Sequence, residues 1–248
     1  MKPEQYIRHV DGANTAILFV HGILGTPDHF KPFLPFVPTD WSVYNMLLKG
    51  HGGRVKDFSA ASMAAWKQQV HDAVRELLET NDRIVIVAHS MGTLFAIQEA
   101  VNAPVAALFL MNVPLKIRIR FRLFQTSWRV FRGNIKPDDV VTLAAQKACG
   151  IEQDGHILRY LGWIPRYLEL FAEIKKTRRF AQKLTAPSQV YLSLEDEMVS
   201  PKSGRLFEQN LHTAITMLNT SMHFYYSPED QQRVQEDFRN WIQKLSDG

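Results

Sequence analysis

Cysteine is almost absent from this chain. Its 248 residues contain one, Cys149, so no intramolecular disulfide can form and a reducing compartment is expected. Long apolar runs are missing as well: none approaches the roughly 18 residues that a membrane-crossing helix needs. The first twelve residues, MKPEQYIRHVDG, lack the apolar centre of an export signal. These absences give the expectation of a cytoplasmic protein. An excess of one charge is also lacking: 29 Lys and Arg face 25 Asp and Glu, and a net +4 does not by itself imply a nucleic-acid partner. There is no internal repeat and no low-complexity segment. What remains is an ordinary globular composition, 46% hydrophobic and 22% charged, at a length near the upper limit for one core. One domain carrying an insertion is the reading.

Apolar, β-branched runs alternate with segments of helical periodicity. Strands are predicted at 15–20, 41–48, 83–88, 105–113, 189–194 and 214–219, and helices over 60–79, 91–102, 202–210 and 229–245. In the first helix Met63, Trp66, Val70, Val74 and Leu77 form the buried stripe. Near-continuous apolar strands separated by helices mean a mostly parallel sheet covered on both faces. Residues 115–183 interrupt the alternation. They carry fifteen Lys and Arg against six Asp and Glu, a net of +9 that leaves the rest of the chain at −5. A segment so long and amphipathic is not a loop. Its place after a central strand sets it over the carboxyl edge of the sheet, where ligands bind, as a helical cap or lid. The core is then 1–114 and 184–248.

The stretch VAHSMG (87–92) puts Ser90 where a buried strand stops and a helix starts, with small residues two places before and two after. A serine there serves as a helix N-cap, or it sits at a strained strand–turn–helix apex, the nucleophile elbow, with its hydroxyl raised above the sheet. The usual pattern is G-x-S-x-G; here Ala88 and Gly92 flank the serine, so the turn must accommodate one extra methyl group. A second glycine-rich turn, FVHGILGTP (19–27), follows an earlier strand. An oxyanion needs two preorganised N–H donors. Met91 at the start of the helix supplies one, and Ile23, in the turn that Gly22 and Gly25 allow to bend, supplies the other.

A serine hydroxyl needs a base. Of nine histidines, His89 should point away from the serine it adjoins, His21 should brace the oxyanion turn, and His51 in KGHGG reads as structural. His9, His29, His71, His156 and His212 read as surface or packing residues. His223 lies in the loop between the last strand and the last helix. The acid that orients it must come from a strand end. LEDEMVSP (194–201) offers Glu195, Asp196 and Glu197 there, and Asn112, after the preceding strand, carries no charge.

Taken in order, FVHGILGTP, LLKGHGG, VAHSMG, LEDEMVSP and SMHFY resemble the α/β-hydrolase carboxylesterases and monoacylglycerol lipases of bacteria, and together they frame most of the chain except the cap. The resemblance implies the α/β-hydrolase fold, with Ser90 as nucleophile, Asp196 rather than Glu195 or Glu197 as acid, His223 as base, and the Ile23 and Met91 amides as oxyanion donors. Aspartate stands at the serine position in dehalogenase and epoxide-hydrolase relatives, which sets that chemistry aside. The departures are Ala88, and Ile23 where relatives often carry an aromatic residue.

The implied reaction is hydrolysis of a small-molecule ester through an acyl-serine, with no metal or organic cofactor. A thioesterase or amide hydrolase would use the same residues, and a non-catalytic ligand-binding or membrane-associating protein could keep the same fold. The stretch 115–133 interleaves six basic residues with apolar and aromatic ones. Such a helix can lie on an anionic lipid surface, but the preferred reading is a lid whose apolar side covers the acyl site while its arginines stay solvated.

Overall fold

The structure is a computed structural model, and it describes residues 2–247. Seven strands form one sheet: β1 (Tyr6–Arg8), β2 (Thr15–Val20), β3 (Ser42–Asn45), β4 (Arg83–His89), β5 (Val105–Met111), β6 (Ser188–Ser193) and β7 (Thr213–Leu218). The spatial order is β1-β3-β2-β4-β5-β6-β7, with every pairing parallel except β1 against β3. β4 is therefore central, flanked by β2 and β5.

Side chains alternate across this sheet, as strand geometry requires, except at the irregularity where β4 and β5 begin to pair. Leu18, Ile84, Ile86, Leu108, Leu110 and Val190 enter one buried cluster, while Ile17, Val85, Val87, Ala107, Phe109 and Tyr191 enter the other. The first cluster lies under helices α1 (Val55–Ala60), α2 (Met63–Thr80) and α3 (Met91–Asn102); the second lies under the final helix and the turns at 27–36. Burial on both faces explains why the strands read as continuous apolar runs.

The insertion holds α4 (Phe121–Arg132), α5 (Val140–Ala148), 3-10 turns at 157–163 and α6 (Ile164–Ala181). By packing it divides. Leu170, Ile174, Thr177 and Ala181 form the buried stripe of α6, which lies on α3 and α2 in the layer that covers the sheet. The Gln98 side-chain amide donates to Glu173 (2.6 Å) and to Thr177 (2.7 Å), and Glu169 accepts from the first N–H of α2 at 2.8 Å. The helices α4 and α5 pack on each other. The chain closes with α7 (Pro228–Ser246).

Three expected elements are corrected. The strand predicted over 41–48 pairs only at 42–45, because beyond Asn45 the chain leaves the sheet toward the Gly50–Gly53 turn. The helix predicted from residue 60 starts at Met63, where the Ser62 hydroxyl accepts the Ala65 N–H at 3.1 Å, and α1 is a separate short helix before it. The helix predicted over 202–210 is a 3-10 turn at 201–206; Gly204, a poor helix former, packs its backbone against Leu192. The short, antiparallel edge strand β1 carries no periodic signal and was not expected. No helix among the described residues is long and apolar enough to cross a membrane.

The tightest constraint in the fold is at Gly92. A Cβ there would stand 2.2 Å from the Val20 carbonyl oxygen and 2.8 Å from that of His21. Ala88, by contrast, buries its methyl in the first cluster. Gly92→Ala is therefore expected to lose at least about 3 kcal/mol, since backbone must move, whereas Ala88→Gly should lose only about 1 kcal/mol. Urea unfolding of the two variants checks both.

Candidate active site

Ser90 caps α3 with φ 51° and ψ −122°, the strained turn that the elbow pattern predicts. Its backbone is pinned on both sides: its N–H donates to Met111 O (2.9 Å), and its carbonyl accepts the Thr93 N–H (2.9 Å) and hydroxyl (2.6 Å). The hydroxyl oxygen lies 2.9 Å from Nε2 of His223, and Nδ1 of His223 lies 2.8 Å from Oδ2 of Asp196. The other Asp196 oxygen accepts the N–H groups of Met198 and Val199, each at 2.7 Å. The carboxylate on Nδ1 fixes the proton there and leaves Nε2 as an acceptor for the serine hydroxyl. All three side chains are buried.

The loop carrying His223 is anchored by one acid the sequence did not single out and by His89 and Asn112, which it named in other roles. Asp230, on the first turn of α7, accepts the N–H groups of Thr220 and Ser221 (3.1 Å each) and the Ser221 hydroxyl (2.7 Å). Burial alone would raise its pKa, but these donors outweigh it and hold the carboxyl below its ordinary value. The His223 carbonyl accepts Nε2–H of His89 and the Asn112 side-chain amide, both at 3.1 Å. Asn112 adopts φ 53° to reach it.

Of the three consecutive acids, only Asp196 meets the imidazole. Glu195 is exposed and pairs with Arg120 at 2.5 Å. Glu197 is buried, and its Oε2 accepts the backbone N–H of His223 at 3.2 Å. Adjacent positions gave no means of telling these two glutamates apart.

Ile23 and Met91 are both buried, and neither amide donates a hydrogen bond to another described residue. The turn bearing Ile23 is braced as expected. Nε2 of His21 accepts the Leu48 N–H (3.1 Å) while its Nδ1–H donates to Gly22 O (2.9 Å). Nε2 of His51 accepts the Leu24 N–H at 3.2 Å, which holds Leu24 at φ 60°. Gly22 approaches so closely that a Cβ would stand 2.8 Å from that of Ser90. His29, read as a surface or packing residue, packs on His89 with ring centres 4.0 Å apart.

Burial pushes His21 down to about 4, and drives His51 and His89 well below the ordinary imidazole value. His223 departs the other way. Burial disfavours its cation, but the charge and hydrogen bond of Asp196, joined by the charge of Glu197, raise its pKa above 6.5.

A cavity of about 750 Å³ adjoins the site at Leu24, Glu197 and Phe224, and runs beneath α4 between Phe124, Trp128 and Tyr167. A second cavity of about 320 Å³ shares Phe224 and has Asp28, His29, Lys147 and Gln231 in its wall.

Residues 17–243 match the sequence profile of the alpha/beta hydrolase family, and the chain belongs to that family. Its fold is that of solved hydrolases. It aligns with a structure described among the metagenome-derived lipolytic enzymes LipS and LipT over 98% of both chains (TM-score 0.72, 17% identity). The monoacylglycerol lipase of Paleococcus ferrophilus aligns over 98% of both chains (TM-score 0.69, 16% identity). A soluble variant of Saccharomyces cerevisiae monoglyceride lipase, in complex with a substrate analog, aligns over 97% of this chain and 90% of its own (TM-score 0.68, 12% identity). A search of curated protein sequences gives no significant match.

Two titrations test the electrostatics. Ring-nitrogen NMR should show His223 titrating above 6.5 while His21 stays neutral until about pH 4. An imidazole that ionises at 6.5 unfolded but at about 4 folded makes the unfolded state bind more protons between those values. His21 alone therefore costs roughly 3 kcal/mol of stability as pH falls through that window. Urea midpoints measured from pH 7 to pH 4 should drop accordingly; a flat profile would contradict the assignment.

Proposed function

We propose that this protein is a serine hydrolase of carboxylic esters with an apolar acyl chain. The observation that carries the reading is the unbroken hydrogen-bond chain Ser90–His223–Asp196 at the edge of a largely apolar cavity. His223 takes the Ser90 proton as Oγ attacks the ester carbonyl, and Asp196 stabilises the imidazolium that results. The tetrahedral oxyanion is held by the free amides of Ile23 and Met91. The alcohol leaves with the proton from Nε2, and water, activated by the same imidazole, releases the acid. Every step is completed by protein groups and water.

The acyl chain belongs in the 750 Å³ cavity, which is within the usual size for small-ligand sites and is walled by aromatic side chains of α4. The smaller cavity, whose mainly apolar wall also carries Asp28, His29, Lys147 and Gln231, suits the alcohol portion. We read α4, α5 and the turns at 157–163 as the lid proper, since α6 covers the sheet. The basic residues of 115–133 favour the lid reading over a lipid-surface one, because four of the six have internal partners. Arg118 donates to the carbonyls of Leu194 and Asp196, Arg120 pairs with Glu195, Arg129 pairs with Asp139, and Arg132 lies over Trp128. Phe121, Phe124 and Trp128 line the cavity.

A fluorophosphonate should label Ser90 alone. Ser90→Ala and His223→Ala should each lower kcat by about four orders of magnitude or more, Asp196→Asn should approach that loss, and Glu195→Gln should leave it unchanged. Full turnover by Ser90→Ala would sink the mechanism. Matched ester, thioester and amide substrates separate the three acyl-transfer chemistries, and absence of labelling would favour a binding protein. In co-sedimentation with anionic vesicles at low salt the protein should stay in the supernatant; salt-sensitive binding would revive the lipid-surface reading.

A further inference from the structure

Glu197 is a buried acid that the proposed mechanism does not use. It is only 4% exposed, and it forms part of the wall of an otherwise largely apolar cavity. Burying a carboxylate is costly unless donors or a cation compensate. Among the described residues its side chain has a single hydrogen-bond donor, the backbone N–H of His223 at 3.2 Å. It is also held in place. The Arg120 N–H donates to its backbone carbonyl at 3.0 Å, and the Arg118 guanidinium holds the Asp196 carbonyl at 2.6 Å. The base of the insertion thus fixes both acids against the loop of His223.

We propose that Glu197 is a positioning residue for the reaction: it grips the His223 backbone and sets a second negative charge beside the imidazole, so that Asp196 and Glu197 together stabilise the imidazolium formed when Ser90 gives up its proton. The proposal rests on the serine-hydrolase reading for its catalytic consequence. The neighbouring rings around His223 supply no charge, and the Asp230 carboxylate is taken up by the N–H groups of Thr220 and Ser221 and the Ser221 hydroxyl. His89 and His29 are kept neutral by burial, and the Tyr226 phenol is kept protonated by burial and by Asp196 and Asp230. The Arg118 guanidinium is engaged with the backbone carbonyls of Leu194 and Asp196. A charge in a site of low dielectric acts on its neighbour far more strongly than in water. Burial opposes a charged His223, while the charges of Asp196 and Glu197 favour it.

Glu197→Gln separates grip from charge, because the amide oxygen can still accept the His223 N–H. Ring-nitrogen NMR should show the His223 midpoint falling by about 1 pH unit, a shift typical of losing one nearby charge. The acid limb of kcat/KM should move by the same amount, and kcat should fall about tenfold, the rate equivalent of that shift. Glu197→Asp should keep most of the wild-type midpoint, and exposed Glu195→Gln should change nothing. An unmoved midpoint in a Glu197→Gln protein that melts like wild type would overturn the proposal. A loss of rate with an unmoved midpoint would overturn it too, leaving only the grip. If the glutamine variant does not fold, Glu197→Ser, which leaves room for a water at the amide, is judged by the same outcomes. The NMR titration needs no turnover. If the wild type hydrolyses no ester, the serine-hydrolase reading fails while the charge coupling of Glu197 is still decided.

Discussion

The site depends on one close approach of backbone to backbone. The start of α3 passes over the end of β2 with only the hydrogen of Gly92 between its Cα and the Val20 carbonyl. That approach leaves Ser90 no relaxed conformation, so it takes φ 51°, a departure that costs on the order of 1–3 kcal/mol. The surroundings offset it. β4 is hydrogen-bonded on both sides by parallel neighbours, and the buried residues of α3 run unbroken from Met91 to Ala100. The same region brings Gly22 within contact of Ser90. Strain at the serine and its close contact with the Gly22 turn belong to one crowded crossing.

Electrostatic selection among the histidines follows from burial and partners. His21, His51 and His89 are buried against backbone groups and other rings, where a proton would be an uncompensated charge. Each therefore works as a neutral spacer with a fixed tautomer. His223 is equally buried, yet it faces a carboxylate through Nδ1, and its pKa moves up instead of down. The other histidines serve His223: His89, with Asn112, holds its carbonyl, while His21 and His51 hold the turn opposite.

The charge imbalance between insertion and core has a structural counterpart. Three arginines of 115–183, Arg118 and Arg120 at its base and Arg129 on α4, are engaged with carbonyls and an acid of the 194–197 loop and with Asp139. Ile117 bridges Val199, and the Arg118 and Arg120 amides donate to Met198 and Glu197. The segment that roofs the cavity is thereby tied to the loop that carries Asp196. Roof and acid are one hydrogen-bonded unit.

Local pattern was enough for the central strands, for α3 and α7, and for the strained turn at Ser90. Their signals are short-range: a continuous apolar run means a strand buried on two faces, and a serine between small residues means a turn with no room for side chains. Ser90, Asp196 and His223 could be named because each follows a strand end, and parallel strands bring those ends to one edge. The sequence could not separate Glu197 from Glu195, because which of the two glutamates flanking Asp196 turns inward depends on the insertion's hydrogen bonds to that loop. Nor could it show that α6 belongs to the layer over the sheet, since an amphipathic stripe reads the same whether it faces a lid or a core. The roles of Asp230 and Asn112 were equally hidden. Each is a polar residue whose partner lies in a loop, and only the folded chain brings a buried donor and acceptor within bonding distance.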